Sequence, residues 1–342
     1  MRAAIYNPYL DTLGGGERYS MAVARTLAFL DYIVDVEWKN ENIKTKLEER
    51  FGMDFSRINF VRDIKRGNGY DVCFWVSDGS IPTLFARKNL LHFQIPFHQV
   101  KGNTLLNKMK LFRINKIICN SQFTKSFIDK EYGVSSIVIY PPVDLAKIKP
   151  KRKENKILFV GRFSQLTQAK NQDVLIRAFK KFYDQGYKNW ELILAGGIEV
   201  GVGNYLDRLK KMAEGYPVKF ITNPPFKDVL TLFGEAKIFW SATGYGANAE
   251  KEPRKMEHFG ISVVEAMAAG CVPIVFNAGG HREIVSNGKN GFLWTKLPDL
   301  VKITKELILD NKYLRSISKE AVLRSNKFSY GSFEKHVKEN LQ

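Results

Sequence analysis

Residues 257–276 read EHFGISVVEAMAAGCVPIVF, and this run decides the architecture. Gly260 allows a tight entry, 261–269 is an apolar run of helical length, and Gly270 suits the left-handed residue that ends a helix. A short apolar strand over 272–276 follows at once. A helix delivered straight into an apolar strand is the repeating unit of a parallel sheet. Outward from this run the alternation continues, with strands expected over 157–160, 192–195, 218–221 and 238–241 and helices over 171–185, 204–213 and 227–236.

The first half carries its own set of expected strands, over 3–6, 33–38, 72–75, 90–93, 116–120 and 136–140. Between the halves, Pro141-Pro142-Val143-Asp144 breaks the pattern, and the charged stretch 147–156 reads as a linker. A chain of 342 residues exceeds one ordinary core, so two α/β domains are expected, each a doubly wound, Rossmann-like sheet. Their boundaries are read as 1–148 and 149–326, followed by 327–342. In that last segment Phe333, Val337 and Leu341 keep helical spacing, and the helix is expected to cross back to the first domain. Sheets of this kind take ligands at the carboxyl ends of their strands, so two facing sheets would bind a substrate across a cleft.

An apolar fraction of 44% and a charged fraction of 26% are those of a folded globular chain and argue against disorder. Cys73, Cys119 and Cys271 are odd in number and lie in apolar runs, which favours buried, reduced thiols over disulfides or zinc. The N-terminus enters a strand without a signal-like apolar core, and no run of about 18 apolar residues exists to span a bilayer. A cytoplasmic location is expected. The net charge of +18 admits nucleic acid, anionic membrane or phosphorylated substrates as partners. From Arg87 to Lys130 the cations Arg87, Lys88, Lys101, Lys108, Lys110, Arg113, Lys116, Lys125 and Lys130 are opposed only by Asp129, which concentrates the charge on one surface.

Two stretches could carry chemistry. After the first strand, Gly14-Gly15-Gly16-Glu17 opens a helical pattern, and glycines there let a ligand approach the backbone and helix N-terminus. In the second half, Glu257 lies ahead of the 261–269 helix and Glu265 on its second turn. The free N–H groups of Gly260, Ile261 and Ser262 would point at an anion, with the helix dipole adding to them. One carboxylate at each side of such an anion site suits a sugar hydroxyl on one side and a ribose on the other. Nothing in the sequence offers a convincing Asp-x-Asp metal motif, so no metal is expected.

Glu-x7-Glu with Phe259-Gly260 between and Glu265-Ala266-Met267-Ala268-Ala269-Gly270 closing it resembles the signature of glycosyltransferase family 4. Gly14-Gly15-Gly16-Glu17, Asn120-Ser121, Tyr140-Pro141-Pro142-Val143-Asp144, Phe159-Val160-Gly161-Arg162-Phe163, Lys170-Asn171 and Asn277-Ala278-Gly279-Gly280 with Glu283 fall in the same order as in that family. The pattern is most similar to the GDP-mannose-dependent mannosyltransferases that extend lipid-linked oligosaccharides. The resemblance implies a GT-B fold, an acceptor-side first domain and a second domain that binds a GDP- or UDP-linked sugar, with no cofactor besides that donor.

It further implies a retaining hexosyl transfer, mannose foremost, to a glycan or lipid-linked acceptor. By resemblance Arg162 and Lys170 hold the diphosphate, Glu257 the sugar hydroxyls and Glu265 the ribose, with Gly15, Gly16, Phe259, Gly260, Ile261 and Ser262 completing the donor site. His92 matches the position of an active-site histidine near the donor sugar, and nearby His98 competes for that role. Seven residues separate Arg162 from Lys170, more than the family usually shows. A front-face reaction is expected because no enzyme nucleophile is apparent. A nucleotide-sugar epimerase of the same fold is the alternative enzyme, and a basic nucleic-acid-binding protein the alternative of another class, although the aromatics occupy core-like positions and no nucleic-acid partner is expected. Finally, Leu105, Leu106, Met109 and Phe112 recur at helical spacing among Lys101, Lys108, Lys110, Arg113 and Lys116, the pattern either of a basic amphipathic helix that lies on an anionic membrane or of an ordinary helix whose stripe packs on the sheet with its lysines solvated.

Overall fold

The computed structural model describes residues 1–40, 42–165, 168–198 and 203–341. They form two compact units, Met1–Pro142 with Tyr330–Gln342, and Val143–Ser329. The division falls at Pro142, ahead of the charged 147–156 stretch, because Val143 already belongs to the second unit: its N–H donates to the Phe328 carbonyl at 2.8 Å.

In the first unit the order is β1 (Arg2–Tyr6), α1 (Gly15–Phe29), β2 (Ile33–Glu37), α2 (Ile43–Phe51), β3 (Ile58–Val61), β4 (Val72–Val76), β5 (Lys88–Phe93), α3 (Leu105–Leu111), β6 (Lys116–Cys119), α4 (Gln122–Tyr132) and β7 (Ile137–Val138). The strands pair in the order β3-β2-β1-β4-β5-β6-β7, every pair parallel. Successive side chains of a strand face opposite layers. Ala3 and Ile5 therefore join the core with Leu27 and Val36, while Ala4 between them packs with Tyr70, Cys73 and Leu84. All three cysteines are buried and free, and burial pushes the Cys73 and Cys119 thiols up to about 12.

The second unit runs β8 (Glu154–Val160), α5 (Gln172–Asp184), β9 (Glu191–Gly196), α6 (Gly203–Ala213), β10 (Val218–Thr222), α7 (Phe226–Glu235), β11 (Ala236–Ser241), α8 (Ile261–Ala268), β12 (Val272–Phe276), α9 (His281–Ile284), β13 (Phe292–Trp294), α10 (Leu297–Leu309) and α11 (Asn311–Ser325). Its strands lie in the order β10-β9-β8-β11-β12-β13, again all parallel. Lys153 binds three turns of this unit together: its half-buried ammonium donates to the carbonyls of Phe233 (3.2 Å), Ala236 (2.8 Å) and Ala269 (2.7 Å). It thereby satisfies carbonyls that the ends of α7 and α8 leave without intrahelical partners. The last helix, α12 (Tyr330–Leu341), buries Phe333, Val337 and Leu341 in the core of the first unit.

Among the described residues no helix is long and apolar enough to cross a membrane.

Candidate active site at the carboxyl edge of the second sheet

From β8 the chain winds outward through β9 and β10, then returns to β11 on the other side of β8 and continues through β12 and β13. The carboxyl ends of β8 and β11 thus flank the point where the winding reverses, the place where doubly wound sheets take their ligands. Three loops are stitched together there. Gln168, in the loop after β8, donates through Nε2 to the Met256 carbonyl at 2.8 Å. Asn171 donates to the carbonyls of Ala242 (3.0 Å) and Tyr245 (3.2 Å), both in the loop after β11. It does so from a left-handed backbone (φ 51°), a conformation asparagine tolerates better than most residues. The loop after β12 closes the set, Gly280 N–H donating to the Glu257 carbonyl at 2.8 Å.

That last contact explains two glycines. A Cβ at Gly279 would fall 2.3 Å from the Glu257 carbonyl oxygen, and one at Gly280 would fall 2.5 Å from Phe259 Cα. Backbone lies against backbone, and no side chain fits.

The stitching brings Lys170 and Glu257 together although 87 positions separate them: Nζ donates to Oε2 at 2.8 Å, and the two side chains are only 13% and 15% exposed. Gln168 Oε1 accepts a second proton of the same ammonium at 3.0 Å. Burial by itself would raise the Glu257 carboxyl, but the positive charge and hydrogen bond of Lys170, with further help from His281 and His258, hold it at about 2. His281 is wholly buried. Its Nδ1 lies 2.8 Å from the Phe276 carbonyl, a contact only a protonated Nδ1 can make, so Nε2 is the bare nitrogen of the neutral ring. That Nε2 is buried and has no partner. Burial lowers the His281 pKa, the Glu257 carboxylate opposing it.

Glu257 leads directly into α8. Gly260 turns the chain with φ 114°, open to glycine and strained for any other residue, and its carbonyl starts the helix by accepting from Val263 N–H at 3.0 Å. The first N–H groups of a helix lack intrahelical acceptors and carry its positive dipole end. Ile261 and Ser262, half-buried, stand at that end, and Glu265 lies one turn further in at 6% exposure. Arg162 follows β8 and is exposed. Its carbonyl is anchored by Gln172 Nε2 at 2.8 Å, and the preceding Gly161 lies against the Lys170 stem, where an added Cβ would sit 3.5 Å from Lys170 Cγ. Of the residues between Arg162 and Lys170, Leu166 and Thr167 lie outside the described residues.

Other expected site residues are placed elsewhere. The Phe259 side chain turns into the unit, 3% exposed, its ring edge-on to Phe328 at 5.3 Å. Only its backbone is available at the site. In the first unit, His92 does not emerge at the end of β5. Strand alternation points it into the core, where it is 0% exposed, stacks on Tyr19 at 4.2 Å, and has Nδ1 3.1 Å from the Ile118 carbonyl. Burial pushes its pKa down to about 3. With its ring sealed it presents no atom to a sugar, which corrects the expectation of a catalytic His92. His98, the competitor, stands 4.0 Å from Glu131. Gly15 and Gly16 do open α1, and Gly14 N–H donates to Glu17 Oε2 at 2.8 Å. Gln94 lies directly over Gly16, its Oε1 only 2.0 Å from where a Cβ would be, so the glycine makes room for that amide.

Gln168 and His281 are the contributors that sequence reasoning missed. The Asn277-Ala278-Gly279-Gly280 run pointed to the neighbourhood of His281, whereas nothing in the sequence distinguishes Gln168 from a surface amide.

Residues 143–324 match the model of the family described as glycosyl transferases group 1. A GDP-Man:Man(3)GlcNAc(2)-PP-Dol alpha-1,2-mannosyltransferase of Xenopus laevis is 30% identical over 241 residues, 64% of this chain and 46% of that protein. Human alpha-1,3/1,6-mannosyltransferase ALG2 is 27% identical over 233 residues, 60% of this chain and 51% of that protein. The chain thus spans about half the length of these curated relatives. Among solved structures, Anabaena HepE in complex with UDP superposes with a TM-score of 0.80 over 100% of this chain and 99% of that one, at 20% identity. A sucrose-phosphate synthase from Thermosynechococcus elongatus superposes with 0.72 over 99% and 98%, at 14%. These likenesses identify the two-sheet arrangement as the GT-B fold.

Proposed function

We propose, since this chain belongs to the glycosyl transferases group 1 family and is a glycosyltransferase, that it moves mannose from a GDP- or UDP-linked donor to a lipid-linked glycan, with retention and without a metal ion. The observation that carries the reading is the Lys170–Glu257 pair beside the N-terminus of α8. As the bond from the anomeric carbon to the diphosphate breaks, negative charge grows on the leaving group and positive charge on the sugar. A helix N-terminus, Lys170 and Arg162 supply fixed positive charge for the first, and a carboxylate held ionised supplies negative charge for the second. Arg162 suits a diphosphate because its guanidinium is always charged and forks onto two oxygens. Glu265, buried on the second turn, is assigned to the ribose.

The acceptor hydroxyl attacks from the side the diphosphate leaves. A leaving-group oxygen takes the hydroxyl proton, and the new carbon–oxygen bond forms on the face where the old one broke. Configuration is retained and no enzyme nucleophile is consumed. The choice of mannose and of a lipid-linked acceptor, met at the cytoplasmic face of a membrane, is supported by the mannosyltransferases that the chain resembles.

The test is a panel of nucleotide sugars read by thermal stabilisation, which for a donor at about 100 times its Kd amounts to roughly 2.7 kcal/mol. The stabilising donor is then incubated with lipid-linked acceptors and the anomeric configuration of the product read by NMR. An inverted product, or epimerisation of the donor without any acceptor, would sink the reading.

A further inference from the structure

The first unit presents a surface that its own fold does not use. Helix α3 (Leu105–Leu111) buries none of its residues. Leu105 is 77% exposed, Leu106 61%, Met109 64% and Phe112, just beyond the helix, 95%. Residues three and four apart share a helix face, so Leu105, Met109 and Phe112 make one stripe with Leu106 beside it. The stripe does not pack on the sheet. Phe85, 45% exposed, extends the patch: the Arg113 guanidinium sits 5.3 Å over its ring while Arg113 Nε donates to the Leu84 carbonyl at 2.7 Å. Among the described residues, five of the twelve exposed large apolar side chains gather here, where scattered single ones would be ordinary.

The helix is nonetheless held firmly at its base. Thr104 caps it, accepting from Asn107 N–H at 3.2 Å, and Asn107 Nδ2 donates to the Gly102 carbonyl at 2.9 Å. Glu131 accepts the N–H groups of Gln99, Val100 and Gly102, which fixes the preceding loop. Its outward face is therefore presented in a fixed orientation.

The cations narrow what covers it. Arg87 pairs with Asp71, and Lys125 with Asp129, so part of the basic run from Arg87 to Lys130 is neutralised elsewhere. Around the stripe, Lys101, Lys108 and Lys116 are exposed and Lys110 half-exposed, and among the described residues none of them pairs with an acid. A second copy docking by this face would set like charges against each other. An apolar stripe flanked by unpaired cations is matched instead by an anionic bilayer, whose headgroups meet the lysines while the acyl boundary takes Leu106, Met109 and Phe112.

We infer that the α3 face docks the first unit on an anionic membrane surface, with Leu105, Leu106, Met109 and Phe112 inserted and Lys101, Lys108, Lys110 and Lys116 at the headgroups. The docking stands on this geometry; its use in catalysis rests on the reading that the acceptor is lipid-linked.

The experiment is co-sedimentation of the full chain with vesicles of phosphatidylglycerol and phosphatidylcholine in equal parts, against pure phosphatidylcholine. Sedimentation is expected only with the anionic vesicles, falling as salt rises and screens the charges. L106S/M109S/F112S is expected to abolish it. K108S/K110S should weaken it roughly 25-fold, about fivefold for each cation near the surface. All five positions leave the core untouched, so nucleotide-sugar hydrolysis and melting temperature should stay at wild-type values and report separately on the donor site. Equal sedimentation on both vesicles, sedimentation on neither, or a dimer in solution that disappears in L106S/M109S/F112S would overturn the inference. Loss of donor hydrolysis in the wild type would instead strike the function proposed above.

Discussion

Lys170 Nζ donates to Glu257 Oε2 at 2.8 Å across a largely buried gap, so each charge of the site is the other's counterion before any donor arrives. On the function proposed above, a diphosphate entering beside α8 would compete for the ammonium and a sugar hydroxyl for the carboxylate. The pair keeps the Glu257 carboxylate ionised and both side chains oriented, and Gln168, bonded to the Met256 carbonyl and to Lys170, holds the lysine in place.

Replacing Glu257 with Gln keeps the shape and removes the charge. If the carboxylate faces the sugar as it becomes cationic, the loss appears in the transition state and little in the ground state. Turnover should fall by about 10²–10³, some 2.7–4 kcal/mol of barrier, while the nucleotide Kd changes by less than about threefold. Steady-state kinetics beside nucleotide titration reads both, and near-normal kcat in the folded variant would remove Glu257 from this role.

Lys170→Met tests the pair through pH. In the wild type the Glu257 carboxyl is held near 2, below its ordinary value of 4.5, so the pairing contributes stability that is fully present above 4.5 and lost as pH falls towards 2. Without the lysine, burial is left as the main influence and raises the carboxyl instead. Stability from a raised carboxyl is present below its unfolded value and lost as pH climbs through the raised one. The variant should therefore be about 1–3 kcal/mol less stable than wild type near neutral pH, with the gap narrowing on acidification. Melting curves across that range decide it; a gap independent of pH would count against the pairing.

How much of this was legible differs from residue to residue. The parallel sheets could be read because their strands are apolar runs between helical segments, as in the stretch from Gly260 to Phe276. β3 escaped because four residues between Arg57 and Arg62 look like a charged loop, and only its pairing with β2 makes them a strand. β13 escaped because three residues are too few to show a strand pattern. Glu257, Gly260 and Lys170 were nameable from their motifs, but their contact was not, since it depends on loops separated by 87 positions closing on each other. His92 misled because its place at the end of a strand says nothing of which face it takes, and Tyr19 of α1 covers that face.

His92→Phe follows from that burial. The ring lies between Tyr19 (4.2 Å) and Phe74 (5.3 Å), so a phenyl of similar size fills the slot and loses only the contact with the Ile118 carbonyl. The expected outcome is about 1 kcal/mol lower stability with donor hydrolysis unchanged, measured by denaturant unfolding and a hydrolysis assay. A hydrolysis rate reduced a hundredfold in a stable variant would return His92 to the active site.

Arg162→Ala and chelation belong together. The Arg162 side chain is exposed, and the carbonyl that accepts from Gln172 is retained in alanine. Melting temperature should stay within about a degree of wild type, as for an ordinary surface substitution, while transfer collapses because the leaving diphosphate loses a forked cation. EDTA should leave wild-type transfer intact if helix, Arg162 and Lys170 suffice. A strict magnesium or manganese requirement would show that they do not.

Gly280→Ala asks whether the loop contact positions Glu257. Gly280 has an ordinary backbone conformation, φ −63°, so alanine there brings no conformational strain and the effect is steric. The new methyl would fall 2.5 Å from Phe259 Cα and 2.8 Å from the His258 carbonyl oxygen, both backbone atoms that cannot rotate aside. Something must move, and the partner of Gly280 N–H is the Glu257 carbonyl itself at 2.8 Å. A shift of the 257–259 backbone would take the carboxylate off Lys170 and off the sugar position together. Overpacking of this kind costs about 1–3 kcal/mol of stability. Because a misplacement of about an ångström can cost 10²-fold in rate, kcat should fall further than stability alone explains, with nucleotide affinity altered less. A crystal structure of the variant with Lys170 and Glu257 still in contact, together with wild-type kcat, would show that the glycine serves only to pack the loop.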